Sequence, residues 1–148
     1  MIFISFYSYL AVTDGFDCFF FHDVDLISEN DHNLYECFDN PRHYSAWIDK
    51  WNYKILYGTI FGGITAYTED AFRKINGYSN EYWGWGGEDD DLYKRTSNSG
   101  FSLMRPEESV TRYKMIKHGR EATNKPNPLR VQMINKFQKH WKNDGLSV

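Results

Sequence analysis

Short apolar or β-branched segments, separated by polar turns, predict several short strands. The segment Cys18 to His22 is almost wholly apolar and ends in the acidic turn Asp23-Val24-Asp25, so it predicts a fully buried strand. Tyr53 to Thr65 mixes β-branched and aromatic residues with a pair of glycines and predicts a strand pair with close backbone approach. Leu103 to Tyr113 is expected to be extended, and Lys114 to Asn127 is expected to be a polar loop.

Three other segments have helical spacing and recognisable end signals. Thr68 is a good N-cap for a short helix that Gly77 would end. Glu88 to Asn98 begins with acids, which suits the positive end of the helix dipole. A final helix is expected to open at Asn127-Pro128. Strands that alternate with helices predict an α/β fold.

Composition places the 148-residue chain among globular domains and excludes a disordered chain. Hydrophobic residues make up 41% and charged residues 25%, and the net charge is -3. This charge gives no reason to expect nucleic acid as a partner. No apolar run approaches the roughly 18–20 residues of a membrane helix, so a membrane anchor is expected to be absent from this sequence. Cys18 and Cys37 permit one disulfide, but composition does not say whether it forms.

Two separate segments offer possible metal ligands. Asp23 and Asp25 follow a predicted strand, and a turn would let both carboxylates reach one site, where oxygen ligands suit magnesium or manganese. The alternative is a solvated acidic turn. His118 could also bind a divalent ion, whereas Met115 is more typical of a core, since thioethers favour soft metals.

Tyr82 to Asp91 contains the most informative pattern in the chain. Trp83 and Trp85 stand among glycines, which offer little to pack, so they favour a mobile aromatic clamp that could stack on a sugar face. The four acids that follow lie at a predicted helix start. One of them could serve as a general base for a sugar hydroxyl. The alternative is a solvated acidic cap.

Five motifs together resemble the β-1,4-galactosyltransferase family. In chain order they are Phe21-His22-Asp23-Val24-Asp25-Leu26, Phe61-Gly62-Gly63, Trp83-Gly84-Trp85-Gly86-Gly87-Glu88-Asp89-Asp90-Asp91, Met115-Ile116-Lys117-His118 and Asn127-Pro128. The resemblance implies the carboxyl-terminal half of a GT-A nucleotide-sugar transferase fold. It covers residues 15–148 as a catalytic part, whereas residues 1–14 do not match the family's pattern. The family's amino-terminal uridine contacts, stem and membrane anchor are expected to be missing.

By this resemblance each site residue has an expected role in an inverting, manganese-dependent transfer. The metal ligands are Asp25, Met115 and His118, and the catalytic residues are the base Asp89 and its neighbour Glu88. The residues expected to bind the donor are Asp23, Val24, Ile60, Gly63, Trp85 and Glu88. Those expected to bind the acceptor are Tyr57, Asp89, Asp90, Arg130 and Ile134. The segment from about Ile116 to Lys136 resembles a mobile lid.

The resemblance also implies a disulfide, a compartment and two substrates. Cys18 and Cys37 match a family disulfide, which suits the Golgi lumen. The acceptor is expected to be a GlcNAc-terminated glycan. Ile60 stands where vertebrate members carry tyrosine, and the smaller side chain leaves room for an acetamido group, so UDP-GalNAc is the expected donor.

Three alternatives stay open. The enzyme could use UDP-Gal, the chain could be a non-catalytic carbohydrate-binding fragment, or it could be a structural fragment with no ligand. Members that transfer galactose to xylose are less similar, because their acid block is less acidic.

Overall fold

The structure is a computed structural model, and it describes residues 14–119 and 124–147. These residues form a mixed α/β arrangement, which confirms the expected fold class. The strands are β1 Cys18–His22, β2 Leu26–Ser28, β3 Arg42–His43, β4 Trp47–Ile48, β5 Ile64–Thr68 and β6 Arg112–Met115. The helices are α1 Glu69–Lys74, α2 Glu88–Asn98 and α3 Arg130–His140, and 3-10 turns lie at Asp49–Trp51 and Trp141–Asn143. In the described part of the chain, no helix is long and apolar enough to cross a membrane.

The strands form two small sheets of three strands each. The first has the order β1-β5-β3 and is antiparallel throughout. The second has the order β2-β6-β4, in which β2 is antiparallel and β4 parallel to β6. The prediction that β1 is fully buried was wrong, because Cys18 and His22 are exposed. The reason is that β1 lies at an edge of its sheet in the described structure.

Both predictions for extended segments were only partly right. Residues 53–63 are turns and irregular structure, and the predicted segment contains only the first two residues of β5. The carbonyl groups of Gly58, Ile60 and Gly62 bond to side chains rather than to a neighbouring strand. Between residues 103 and 113, Met104 forms a single bridge to Arg42 before β6 begins. Lys114 and Met115 lie in β6, not in the polar loop.

The three predicted helices are present. The Thr68 hydroxyl accepts a hydrogen bond from the Ala71 amide at 3.2 Å, and Gly77 follows the helix with a φ of 63°. α2 spans the predicted residues, Glu88 to Asn98. α3 begins at Arg130, after the Asn127 side chain has accepted the Leu129 amide at 2.9 Å.

Hydrophobic side chains cover both faces of β5. Alternate residues of a strand point to opposite faces, so Tyr67 joins one cluster while Ile64 and Ala66 join another. The first cluster also contains Phe19, Phe61, Ala71, Phe72, Ile75, Tyr78 and Leu92, and the second contains Leu26, Tyr44, Ile48 and Tyr113. This packing fixes β5 and therefore the pair of glycines that precedes it.

A buried arginine joins α2 to the carboxyl-terminal segment. Arg95 is 1% exposed and pairs with Asp91 at 2.5 Å and with Asp144 at 2.9 Å. Its Nη1 also donates to the Asp144 carbonyl at 2.6 Å. A buried arginine needs such partners, because an unpaired charge in the interior is very costly. The network therefore fixes the orientation of the helix that begins with the acid block.

Candidate active site

The antiparallel pairing of β1 with β5 brings the acidic turn beside the glycine pair. His22 is paired with Ile64, so the residue after β1 meets the residue before β5. The Asp23 amide donates to the Gly63 carbonyl at 3.0 Å, and the chain then turns through Val24, which is 97% exposed. The acidic turn is therefore held against Gly63 by backbone contacts.

Asp25, Met115 and His118 are brought together by the second sheet. His118 Nε2 lies 3.0 Å from Asp25 Oδ2, and the Ile116 amide donates to the Asp25 carbonyl at 2.8 Å. Met115 is the strand partner of Leu26, the residue next to Asp25. Hydrogen bonding to the Gly119 carbonyl and to the Asp25 carboxylate raises the pKa of His118. A divalent ion bound here would compete with the proton that this arrangement favours.

This donor set fits a divalent ion such as manganese. Carboxylate and imidazole groups are ordinary ligands for such ions, and the thioether of Met115 is a weaker one. Across residues 14–119 and 124–147, no three His, Cys, Asp or Glu side chains cluster as a metal site. Asp25 and His118 supply two donors of these types, and the third candidate is the sulfur of Met115.

The acid block forms the first turn of α2, directly opposite the glycine pair. Gly87, with a φ of 103°, precedes the helix, and Asp91 turns inward to Arg95. A methyl group added at Gly62 would lie 2.5 Å from Asp89 Oδ2. The Asp89 carboxylate therefore packs directly on the backbone of Gly62.

Burial and neighbouring acids alter the protonation of this cluster. Burial, and then the charges of Glu88, Asp23 and Asp90, raise the pKa of Asp89 to about 8. Burial also raises the pKa of Glu88 and that of Asp23. Among the described residues, Glu88 Oε2 is buried without a hydrogen-bond partner. A carboxylate that exchanges its proton near neutral pH is suited to general base catalysis.

The two tryptophans are exposed, in agreement with the prediction that they are not part of the core. Trp83 is 61% and Trp85 48% exposed. The Trp85 amide donates to the Lys125 carbonyl at 2.9 Å, and the Asn127 amide donates to the Trp85 carbonyl at 3.0 Å. The Arg130 guanidinium lies 5.5 Å from the centre of the Trp85 ring. The tryptophan loop is thus attached to the segment that leads into α3.

Three further predicted site residues, Tyr57, Ile60 and Ile134, lie on other segments, and only Tyr57 has a hydrogen bond to the acid block. The Tyr57 hydroxyl donates to Asp90 Oδ1 at 3.2 Å, and Ile60 is buried three residues later. Ile134 is half-buried, one turn beyond Arg130, and its carbonyl accepts from Lys94. Residues 120–123 of the predicted lid, and nearly all of residues 1–14, lie outside the described residues.

The sequence analysis missed several residues that are far from the site in sequence but bond to its segments in the structure. Asp49 Oδ1 accepts the Met115 amide at 2.9 Å. His43, Ser45 and Arg105 bond to carbonyl groups of residues 58–62. No local pattern marks these residues, because their partners are 17 to 66 positions away in sequence.

One disulfide is present, between Cys18 and Cys37, with an S–S distance of 2.09 Å. It attaches the first residue of β1 to the loop after β2. The pairing implied by the family resemblance is therefore confirmed.

Comparison with known proteins gives matches that cover nearly the whole chain. Residues 42–119 match the family described as the N-terminal domain of galactosyltransferase. Residues 1–38 match the N-terminal region of glycosyl transferase group 7. This match includes residues 1–14, which were not expected to match the family's pattern. β-1,4-Galactosyltransferase 2 of Mus musculus is 43% identical over 143 residues, which is 97% of this chain and 39% of that protein. β-1,4-Galactosyltransferase 3 of Homo sapiens is 47% identical over 135 residues, 90% of this chain and 34% of that protein.

Solved structures agree with these sequence matches. The catalytic domain of Drosophila β1,4-galactosyltransferase 7 in complex with xylobiose superposes with a TM-score of 0.76 at 29% identity, over 98% of this chain and 63% of that one. A mutant of that enzyme in complex with manganese, UDP-Gal and xylobiose gives a TM-score of 0.74 at 26% identity, with the same coverage. The chain spans about two fifths of the length of the curated relatives.

Proposed function

The chain belongs to the β-1,4-galactosyltransferase family, glycosyl transferase group 7, and we propose that it forms the carboxyl-terminal catalytic part of an inverting transferase. The reaction moves a hexose from a UDP-sugar to O4 of a terminal GlcNAc. The observation that carries this proposal is the Asp89 carboxylate, packed on Gly62 among other acids with a pKa raised to about 8.

Asp89 is the proposed general base for the acceptor hydroxyl. The hydroxyl oxygen attacks the anomeric carbon of the donor as the bond to the diphosphate breaks, and Asp89 takes the proton. Its raised pKa makes it a better proton acceptor than an ordinary surface aspartate. Glu88 and Asp90 are proposed to accept hydrogen bonds from sugar hydroxyls, and Tyr57 keeps Asp90 in place through its 3.2 Å bond.

Asp25 and His118, together with Met115, are the residues that would hold manganese. When bound, the metal supplies positive charge that stabilises the departing diphosphate. Asp23 and Val24 belong to the same turn and are proposed donor contacts, as is Gly63, whose carbonyl anchors that turn. Support comes from the Drosophila structure that contains manganese and UDP-Gal.

Trp85 is a proposed donor contact, and Arg130 and Ile134 are proposed acceptor contacts. The exposed ring of Trp85 offers a flat face for a sugar, and Arg130 lies against that ring. Since the loop is bonded to residues 125 and 127, a movement of the following segment would move Trp85 with it. The segment from about Ile116 to Lys136 is the proposed lid.

UDP-GalNAc is the proposed donor, and Ile60 is the reason. An aliphatic side chain at this position leaves space at C2 of the donor sugar, where tyrosine would crowd an acetamido group. We expect Ile60→Tyr to shift the preference toward UDP-Gal, while Ile60→Val retains the original ratio. Equal donor ratios in all three proteins would refute this assignment. The named relatives are galactosyltransferases, so UDP-Gal is the competing donor.

The decisive test is transfer of labelled sugar from each UDP-sugar to a GlcNAc-terminated acceptor in the presence of manganese. Asp25→Ala should abolish the transfer, whereas Asp39→Ala, a change in an exposed loop, should not. If the unchanged chain transfers no sugar but its tryptophan fluorescence still responds to GlcNAc, the chain is a carbohydrate-binding fragment and not an enzyme. If it shows neither transfer nor a fluorescence response, both functions are refuted.

The proposed location of the parent protein is the Golgi lumen. The Cys18–Cys37 disulfide requires an oxidising compartment, and the family resemblance supports this one. Fluorescence microscopy of the tagged parent protein against a Golgi marker would test it, and cytosolic staining would contradict it.

A further inference from the structure

Residues 57–63 contact both the acid block and the acidic turn. Tyr57 bonds to Asp90, Ile60 is buried, and the Gly62 backbone touches Asp89. Gly63 accepts the Asp23 amide. The position of this one segment therefore affects the acid turn, the acid block and the proposed donor pocket together.

This segment has no regular secondary structure, and side chains hold its carbonyl groups. Arg105 Nη2 donates to the carbonyls of Gly58 and Ile60, each at 2.9 Å. The Gly62 carbonyl accepts from His43 Nε2 at 2.8 Å and from the Ser45 hydroxyl at 3.0 Å. Three alternate carbonyls are thus bonded to residues outside the segment.

Arg105 and His43 form one connected chain of hydrogen bonds. Arg105 Nε donates to His43 Nδ1 at 3.3 Å, so the imidazole must carry its proton on Nε2, the atom that donates to Gly62. A neutral ring is needed, because a protonated Nδ1 could not accept from a guanidinium. His43 is 0% exposed, and burial lowers its pKa to about 4, which keeps the ring neutral.

We propose that Arg105 and His43 are positioning residues. They hold segment 57–63 in the conformation that lets the donor pocket distinguish UDP-GalNAc from UDP-Gal. The inference rests on the proposed function and deepens it by naming what fixes the donor pocket at Ile60. Neither side chain needs to contact a substrate. Their effect passes through three backbone carbonyls, so it acts on the shape of the pocket rather than on its chemistry.

The first measurement concerns local opening of the segment and does not depend on activity. The protein is labelled with ¹⁵N-isoleucine, and exchange is followed at the Ile60 amide, which is bonded to the Tyr57 carbonyl at 3.1 Å. The internal reference is the Ile75 amide, which follows α1 and is bonded to the Ala71 carbonyl at 3.1 Å. Arg105→Gln should speed exchange of the Ile60 amide by about tenfold or more, since each bond from a charged donor is worth at least that factor. Exchange at Ile75 should be unchanged.

Matched variants separate positioning from general loss of structure. His43→Gln can still donate to Gly62 and accept from Arg105, so it should retain most of the Ile60 protection, whereas His43→Leu should lose it. Arg112→Gln removes an exposed arginine paired with Glu108 and should leave Ile60 exchange unchanged. Unchanged exchange in Arg105→Gln would overturn the inference.

The second measurement is the ratio of kcat/KM for the two UDP-sugars. Whichever donor the unchanged chain prefers, Arg105→Gln should bring this ratio toward one, because a loosened pocket discriminates less. A faster Ile60 exchange with an unaltered donor ratio would also overturn the inference. If the unchanged chain transfers neither sugar, the proposed function fails, and the exchange experiment alone decides whether Arg105 and His43 hold the segment.

Discussion

Gly62→Ala is the substitution that tests the proposed base most directly. The added methyl carbon would lie 2.5 Å from Asp89 Oδ2 and 3.1 Å from Asp89 Cγ. Favourable contact between heavy atoms begins at about 3.5 Å, so the carboxylate must move by about 1 Å. The carboxylate ends a rotatable side chain, and the backbone can therefore stay in place.

The expected consequence is a large loss of rate with a small loss of stability. A catalytic group displaced by about 1 Å can cost about 10²-fold in rate. We expect kcat for sugar transfer to fall by about that factor. The assay is steady-state transfer at saturating donor and acceptor, with thermal unfolding of the same preparations measured in parallel.

Gly58→Ala is the matched control in the same segment. A methyl group there meets no atom within 4 Å, so rate and melting temperature should both match those of the unchanged chain. The reasoning is refuted if Gly62→Ala and Gly58→Ala transfer at similar rates. It is refuted equally if Gly62→Ala loses activity only because it unfolds.

Three further predictions concern stability. Because the pKa of Asp89 is higher in the folded chain than the ordinary 3.8, its contribution favours folding at low pH and is lost as pH rises from about 4 to about 8. Urea unfolding should therefore find Asp89→Asn more stable than the unchanged chain at pH 8 but not at pH 4, with no such difference for the exposed Asp39→Asn. Arg95→Leu leaves buried acids unpaired and should lower the unfolding free energy by about 3–5 kcal/mol in the same assay. Reduction of Cys18 and Cys37, which are 19 residues apart, should lower it by about 3 kcal/mol, as measured with and without dithiothreitol.

Local chemistry was enough to predict the helices. The start of α1 depends on the Thr68 hydroxyl, which bonds to an amide three residues later, and its end depends on Gly77. The start of α2 depends on acids at a helix amino terminus. Signals of this kind act within one or two turns, so they are visible in a short window of sequence.

The strand predictions failed where distant partners decide the structure. Residues 53–63 have strand-like composition, yet their carbonyls bond to Arg105 and His43, at separations of 19 to 47 residues. β1 has the composition of a central strand but lies at a sheet edge. Neither fact follows from periodicity, because both depend on which segments meet in space.

In the candidate site, too, local chemistry was visible in the sequence and contacts between distant residues were not. Asp25 and His118 were candidate metal ligands from their chemistry, and Met115 was added only by the resemblance. The pairing of β2 with β6 brings the backbones of these residues together. The Asp89 environment follows from its contact with Gly62, which no spacing rule predicts. Asp49, Ser45 and Asp144 were not predicted at all, since single polar residues of this kind occur in any loop.

The link between Arg95 and Asp144 has a consequence during protein synthesis. The two residues are 49 positions apart, and ribosomes add about 5–20 residues per second, so the guanidinium waits about 2–10 s for its second carboxylate. During that interval the nascent chain contains the acid helix without the contact that orients it. The acid helix can therefore be fixed in its final orientation only after residue 144 has been made.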